Sequence, residues 1–494
     1  MATVKWDKNS LYQHVREELG EKLFLVVSNR EPYIHTKSDN KIVCNRPVSG
    51  LTQALDPVMR ASKGSWIAYG SGNADKEVVD SHDRVAVPPE EPEYTLRRVW
   101  LTKEEIEGFY LGFSNEGLWP LCHVAFTQPM YTESDWNTYK KVNQTFADAV
   151  LQEIAGQKAV VLVQDYHFAL LSGMLKKQSP ELTVGQFWHI PWPNHEVFRT
   201  CPWHREILEG MLGNDLMGFH IPSFCQNFLD SVEHYLDAKV DRKNSTISYN
   251  GNSTLVQPFP ISVDFDGISQ AANTTEVEKE MDTLRRELDL EGKYVGMGMD
   301  RIDYTKGIPE RLQALDKFLN DNPDYKGKLV FIQAGMPSRT DIESYQNLMK
   351  RTDNLAESIN KKYGTDSWKP IVMLTKQLTP ASLNALRRLA DFCVVSSLHD
   401  GMNLVAKEYV AARTDGDGVL ILSQFTGAAD EMTDTLLINP YDIGGFARTI
   451  KQALEMNEAE RRQRMKAMRD VVDGNNIYRW GAENVSRLVS LAEV

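Results

Sequence analysis

Residues 294–319 read YVGMGMDRIDYTKGIPERLQALDKFL and contain a complete strand–loop–helix pattern. A largely apolar run, 294–299, is followed by a polar loop, and apolar residues at helical spacing then begin at Ile308. Continuous apolar runs without alternation are typical of strands that are buried on both faces of a parallel sheet. Pro309 suits the first turn of a helix. The stretch therefore predicts one unit of an α/β fold.

The same pattern recurs along the chain. Further buried strands are predicted at residues 23–27, 159–163, 182–188, 216–221, 328–334, 370–374, 391–395 and 418–422. Helices are predicted between and beyond them at residues 134–154, 341–363, 380–389, 457–473 and 478–494. This alternation predicts an α/β fold with doubly wound parallel sheets.

The segment 257–267, QPFPISVDFDG, interrupts the alternation with two prolines in four residues, which favours an extended linker. We therefore predict domains at residues 1–265 and 266–477, followed by a C-terminal helix, 478–494, that packs back on the first domain. The DFDG sequence at 264–267 resembles the start of an aspartyl-phosphate phosphatase motif. The prolines before it and Ile268 after it argue against that function.

Composition excludes several classes of protein. The chain has 494 residues, with 55 Lys and Arg against 68 Asp and Glu, so its net charge of −13 disfavours nucleic-acid binding. Five cysteines without a CxxC pair indicate neither a disulfide framework nor a zinc site. Because the apolar runs are far shorter than the ~20 residues of a membrane span, we expect a cytoplasmic protein that does not bind membranes.

Charged side chains follow the predicted strands, where ligands bind in open α/β sheets. Arg30, Asp165 and His189 follow three strands of the first half, although a surface arginine or a structural histidine would give the same pattern. In the second half, Arg301 and Lys306 share one strand-to-helix loop, and two cations beside a helix N-terminus suit a diphosphate.

A Gly-containing turn at 399–403 opens another predicted helix, with Glu408 one to two turns inside it. Its carboxylate could accept from ribose hydroxyls, or it could pair with a surface lysine. Neither a GxGxxG nor a GxxxxGK[ST] motif occurs.

Six motifs occur in a specific order along nearly the whole chain. They are FSNEGLWPLCH (113–123), QDYH (164–167), HIPWP (189–193), RIDYTKGIPER (301–311), AGMPSR (334–339) and HDGMNLVAKEYVAA (399–412). In combination they resemble the trehalose-6-phosphate synthase family, which are retaining glycosyltransferases of the GT-B type. The resemblance implies two Rossmann-like domains facing a deep cleft, with the acceptor in the first domain and the nucleotide sugar in the second. It also implies transfer of glucose from UDP-glucose to glucose 6-phosphate, giving α,α-trehalose 6-phosphate and UDP with retention.

The resemblance implies the following site residues. The acceptor site would comprise Arg30, Trp66, Tyr110, Trp119, Asp165 and Arg339. The donor site would comprise Ser49, Gly50, His189, Arg301, Lys306, Leu378, Asp400, Gly401, Met402, Asn403, Leu404, Val405 and Glu408. The catalytic residues among them would be Asp165, His189, Arg301, Lys306 and Asp400. One departure is Ser49, because the family often has two adjacent glycines at this point.

Two alternatives stay open: another GT-B synthase that uses the same donor, and a non-catalytic regulatory subunit that binds sugar phosphates. Arg30 and Arg339 favour a phosphorylated acceptor over the first alternative. We expect no cofactor and no metal. Expected partners are the two substrates, a second copy of the chain, and a separate trehalose-6-phosphate phosphatase.

Overall fold

The structure is a computed structural model that describes residues 5–39, 41–47, 50–376 and 378–492. The chain divides into two compact units, one comprising Met1–Ile261 with Ile477–Val494 and the other comprising Ser262–Asn476. The division lies inside the proline-containing segment 257–267, and the chain returns to the first unit with its last helix.

Within its described residues, the first unit contains a ten-stranded sheet and a separate β2–β3 hairpin. The strands are β1 (Leu23–Ser28), β2 (Ile34–Ser38), β3 (Lys41–Asn45), β4 (Ser65–Tyr69), β5 (Arg84–Val87), β6 (Tyr94–Val99), β7 (Ala159–Gln164), β8 (Thr183–Phe187), β9 (Leu216–Phe219), β10 (Lys239–Asp241), β11 (Thr246–Tyr249) and β12 (Asn252–Pro258). The sheet order is β10-β11-β12-β9-β8-β7-β1-β4-β6-β5, and the strands from β12 to β6 in this order are parallel.

Helices cover this sheet. They are α1 (Lys8–Leu19), α2 (Gly50–Ser62), α3 (Asp75–Val78), α4 (Lys103–Glu105), α5 (Trp119–His123), α6 (Glu133–Ile154), α7 (Leu171–Gln178), α8 (His195–Phe198), α9 (His204–Met211), α10 (Pro222–Tyr235) and the last helix, Ile477–Leu491. A π-helical segment, Ile106–Leu118, precedes α5. The last helix is amphipathic and packs on α1, α2 and β8, where it buries Trp480 and Leu488.

Within its described residues, the second unit contains a six-stranded parallel sheet in the order β15-β14-β13-β16-β17-β18. The strands are β13 (Tyr294–Ile302), β14 (Leu329–Pro337), β15 (Ile371–Leu374), β16 (Phe392–Val395), β17 (Val419–Ser423) and β18 (Leu436–Ile438). The helices are α11 (Phe265–Ala272), α12 (Thr275–Glu287), α13 (Ile308–Asp321), α14 (Glu343–Tyr363), α15 (Pro380–Leu389), α16 (Leu404–Ala412), α17 (Ala428–Glu431), α18 (Ile443–Glu455) and α19 (Glu458–Gly474). This is the order of a doubly wound Rossmann-type sheet.

The predicted α/β fold is confirmed, since each predicted apolar run contains a parallel strand. The sequence does not predict strand β6, which reads YTLRRV, because two arginines interrupt its apolar run. Asp264 caps α11 by accepting from the Gly267 amide at 2.9 Å, which gives the DFDG sequence a structural role. In the described ranges, every helix is too short or too polar to cross a bilayer.

Candidate active site

The parallel strand order of the first sheet reverses between β1 and β7. Ligands of open α/β sheets bind at the carboxyl ends of the strands beside such a reversal. Arg30 lies two residues beyond β1, and Asp165 directly follows β7. Two of the predicted residues therefore lie in loops at this switch point.

Asp165 is held in an unusual backbone conformation, with φ 72° and ψ 177°. This region is essentially restricted to glycine and costs other residues about 1–3 kcal/mol. Its Oδ1 atom accepts from the backbone amides of Tyr166 at 3.0 Å and His189 at 3.2 Å. The carboxylate is therefore fixed at the end of β7, beside His189 in the loop after β8.

Helix α6 holds the loop that contains Asp165. The Tyr139 hydroxyl donates to the Tyr166 carbonyl at 2.7 Å and accepts from the Ala169 amide at 2.9 Å. Asn143 donates to the His167 carbonyl at 3.1 Å. Sequence reasoning missed this support, although polar residues within the apolar face of a helix are a signal for it.

His189 is half-buried beside the same loop. Its Nε2 atom lies 2.8 Å from Gln164 Oε1. Since the amide oxygen accepts, Nε2 carries the proton and Nδ1 can accept a hydrogen bond. Burial lowers the pKa of His189 well below its ordinary value, and the nearby His220 and His167 lower it further. The ring is therefore neutral near pH 7.

Tyr110 and Trp119 pack beside this loop. Tyr110 lies in the π-helical segment, and its ring stacks on His167 at 5.8 Å, while the Trp119 ring lies 5.8 Å from Tyr166. Segments of π-helix are rare and frequently mark functional sites. The structure thus brings both predicted aromatic residues to the loop of Asp165.

The other predicted residues of the first unit lie in varied surroundings. Trp66, on β4, is fully buried and donates from Nε1 to Ser28 Oγ at 2.8 Å. Its side chain is enclosed in this structure, and its assignment to the wall of the sugar site stays a prediction. Gly50 is the first residue of α2, and Ser49 lies outside the described residues.

The side chain of Arg30 is exposed, but a buried ion pair anchors its loop. The next residue, Glu31, is 2% exposed and accepts from Arg98 Nε at 2.8 Å. Arg98 also pairs with Asp75 at 2.9 Å. Burial raises the pKa of Glu31 to about 7, although Arg98 and the Ser71 amide lower it. Sequence reasoning missed this anchor because its partners are far apart in the chain.

The second sheet reverses its order between β13 and β16. Arg301, which was expected in the loop, is exposed within β13, because the strand continues to Ile302 beyond its apolar run. Lys306 lies in the loop after the strand, as expected. Lys306 Nζ lies 2.5 Å from Oδ2 of Asp400, in the loop after β16. Gly307 has φ 61°, and a Cβ on it would lie 2.2 Å from the Ser396 carbonyl oxygen. The two loops therefore touch at the switch point.

Arg311 connects the end of β13 to the loop that follows β16. It is fully buried and donates from Nη1 to Asp300 Oδ2 at 2.7 Å and from Nε to Ser396 Oγ at 3.0 Å. Ser396 Oγ in turn donates to the Gly307 carbonyl at 2.9 Å. Arg311 is the last residue of the RIDYTKGIPER motif, but no local pattern predicts its contact with Ser396.

Arg339 follows β14, and its side chain is 5% exposed. Its guanidinium lies 3.4 Å from Asp303 and also donates to the Tyr345 hydroxyl. Burial favours a raised pKa for Asp303, but Arg339, Lys306 and Arg301 hold this pKa below its ordinary value. The assignment of Arg339 to the acceptor phosphate stays a prediction.

The turn before α16 contains the other predicted donor residues. Asn403 has φ 72° and donates to Asp400 Oδ2 at 3.1 Å. Gly401 and Met402 are buried, whereas Leu404, Val405 and Leu378 are partly exposed. Glu408, inside α16, accepts from Arg387 of α15 rather than from a lysine. Within the described ranges, no cluster of three His, Cys, Asp or Glu side chains could hold a metal ion.

Three comparisons place the chain among known proteins. The model of glycosyltransferase family 20 matches residues 22–490. A trehalose-6-phosphate synthase of Mycobacterium avium is 36% identical over 482 residues, which cover 96% of each chain. A bifunctional trehalose-6-phosphate synthase/phosphatase of Thermoproteus tenax is 37% identical over 94% of this chain, which spans 63% of that relative's length.

A solved structure of the Escherichia coli protein bound with UDP-2-fluoro glucose is also similar. It has a TM-score of 0.85 and 30% sequence identity, and the match covers 95% of this chain and 99% of the other. This structural likeness agrees with the predicted α/β fold of the GT-B type. The chain belongs to glycosyltransferase family 20.

Proposed function

We propose that this glycosyltransferase transfers glucose from UDP-glucose to glucose 6-phosphate, giving α,α-trehalose 6-phosphate and UDP. The observation that carries the proposal is the chemistry at the two switch points. One holds a strained carboxylate and a neutral histidine, and the other holds two cations beside a carboxylate. The name of the M. avium relative and the ligand of the E. coli structure support the same reaction.

In the donor half, we assign Arg301 and Lys306 to the diphosphate of UDP-glucose. Positive charges that are already in place stabilise the charge that develops on the leaving phosphate. Lys306 has three donors, so it can keep its contact with Asp400 while it binds a phosphate oxygen. We assign Asp400 to hydroxyls of the transferred glucose and Glu408 to the ribose.

In the acceptor half, we assign Asp165 to hydroxyls of glucose 6-phosphate and the exposed Arg30 to its phosphate. The fixed carboxylate of Asp165 orients the acceptor without a rearrangement of the loop, which is how positioning lowers a barrier. Neutral His189 can accept from a sugar hydroxyl through Nδ1, because Gln164 holds its other nitrogen.

We propose a same-face displacement for the chemical step. The bond from the glucose anomeric carbon to the UDP oxygen breaks, the bond to the acceptor anomeric oxygen forms, and the acceptor proton passes to a phosphate oxygen of UDP. Attack on the face from which UDP departs retains the configuration. We assign no enzyme nucleophile, because each carboxylate already has a binding role.

The test is release of UDP measured with UDP-glucose and either glucose 6-phosphate or glucose. We expect both kcat and kcat/KM to be lower with glucose than with glucose 6-phosphate, because binding of the remote phosphate stabilises the transition state. Product analysis must show trehalose 6-phosphate. Equal rates with both acceptors would contradict the assignment of the acceptor.

Two partners belong to the proposal. We propose a homo-oligomer, which light scattering of the purified protein tests. We also propose association with a trehalose-6-phosphate phosphatase, since the name of the T. tenax relative joins both activities. Co-purification of the two proteins tests this association.

A further inference from the structure

Glu408 is held by a second residue that the proposed function does not use. The neighbouring helix α15 carries Arg387, whose side chain is 9% exposed, against 21% for that of Glu408. Arg387 Nη2 donates to Glu408 Oε2. The carboxylate assigned to the ribose is therefore occupied on one oxygen by a buried guanidinium.

Other contacts fix Arg387 in this orientation. Its Nη1 atom donates to Asn384 Oδ1 at 2.9 Å, one turn earlier on α15. Its Nη2 atom also lies 3.8 Å from Met299 Sδ on β13. The buried Nε atom has no hydrogen-bond partner among the described residues. Because the Arg387 guanidinium is buried and hydrogen-bonded on both Nη atoms, it is a rigid support and not a mobile surface charge.

Helix α16 is fixed independently. Lys407 is fully buried, and its Nζ atom lies 2.5 Å from Glu431 Oε2. Because this pair sets the rotation of the helix, the remaining freedom of Glu408 is that of its own side chain. Arg387 removes this freedom and leaves the second carboxylate oxygen for another donor.

We propose that Arg387 is a positioning residue for the nucleotide: it orients Glu408 so that the carboxylate meets the ribose hydroxyls. This inference rests on the proposed role of Glu408. An ionised carboxylate accepts at about four lone-pair sites, so a single arginine leaves sites for two hydroxyls. Without Arg387, the Glu408 side chain would be free to change rotamer, and binding of the ribose would have to fix it in one conformation.

The test is a double-mutant cycle read by isothermal titration with UDP and 2′-deoxy-UDP. The variants are R387M, E408Q and R387M/E408Q. Each single variant should weaken UDP binding by about tenfold to a hundredfold, since hydrogen bonds to a charged group are lost. Each should also lower the preference for UDP over 2′-deoxy-UDP, and the double variant should be no weaker than E408Q.

R388M is the matched control, because Arg388 is next to Arg387 on the same helix but pairs with the exposed Glu278. It should leave the preference unchanged. R387K, which keeps the charge, should recover part of the preference and guards against a folding defect in R387M. Equal loss for both ligands in R387M, with R387K no better, would give Arg387 a structural role only. An unchanged preference in E408Q would overturn both the ribose assignment and this inference, whereas wild-type synthesis of trehalose 6-phosphate would still support the proposed function.

Discussion

Lys306 Nζ lies 2.5 Å from Asp400 Oδ2, and the two side chains are only 12% and 14% exposed. The two groups neutralise each other at the point where the loops after β13 and β16 meet. A diphosphate that binds here must share Lys306 with Asp400. Asp400 also accepts from Ser397 at 3.2 Å and Asn403 at 3.1 Å, so it stays in place when Lys306 binds a ligand as well.

Arg301→Ala should lower kcat/KM for UDP-glucose by about tenfold to a hundredfold, because a charged hydrogen bond to the diphosphate is lost. Steady-state kinetics with saturating glucose 6-phosphate measure the effect. Lys317→Ala is the control, since Lys317 is exposed and pairs with Asp321 on the surface of α13. A rate for the Arg301 variant within about twofold of the control would remove the diphosphate assignment.

Asp165→Gly and Asp165→Ala should both lose nearly all activity, because both remove the carboxylate assigned to the acceptor. Their stabilities should differ, however. Glycine relieves the strain of φ 72° and ψ 177°, whereas alanine does not. We expect the glycine variant to be more stable by about 1 kcal/mol after its greater chain entropy is counted. Chemical denaturation measures the difference, and equal stabilities would show that the conformation carries no strain.

His189 should make the protein less stable at acid pH. Its pKa is lowered by burial from an ordinary value of 6.5, so the unfolded chain binds a proton that the folded chain does not. Stability attributable to His189 is therefore complete above about pH 6.5 and is lost as the pH falls, by up to about 1.4 kcal/mol per pH unit. The difference in Tm between wild type and His189→Gln across this range isolates the effect. A pH-independent difference would contradict it.

Azide should not rescue any carboxylate variant as β-glucosyl azide. A retaining enzyme with a carboxylate nucleophile forms a covalent intermediate, and azide can replace a missing nucleophile on the far face of the sugar. We therefore expect no such product from Asp165→Ala, Asp400→Ala or Glu408→Ala with UDP-glucose and azide. Mass spectrometry and NMR detect it. A useful rate with any one variant would identify that residue as the nucleophile.

Chelation by EDTA should leave the rate unchanged, because Arg301 and Lys306 supply the positive charge that the leaving diphosphate needs. The UDP-release assay before and after dialysis against EDTA measures this. Loss of activity that Mg²⁺ or Mn²⁺ restores would show that a cation takes part.

The apolar runs were enough to predict nine of the parallel strands in the described residues, because a strand buried on both faces is usually apolar along its length. They did not predict the parallel strands β4, β6, β12 and β18. Strand β6 does not follow this pattern, since it buries Arg97 and Arg98, which pair with Glu153 and with Glu31 and Asp75. Burial of a charge depends on a partner that is remote in sequence, and no local pattern reports it.

The sequence by itself determined the fold class and, through the order of its motifs, the family. It also placed Arg30, Asp165, Lys306 and Asp400 after strands, because the position of a residue relative to a strand is a local property. Only the tertiary structure decided that β1 and β7, and likewise β13 and β16, flank the points where the strand order reverses. The supports of the site were decided in the same way. Arg311 donates to Ser396, 85 residues later in the chain, and Arg387 donates to Glu408 on the next helix. Both contacts join different elements, so they exist only once these elements have packed together.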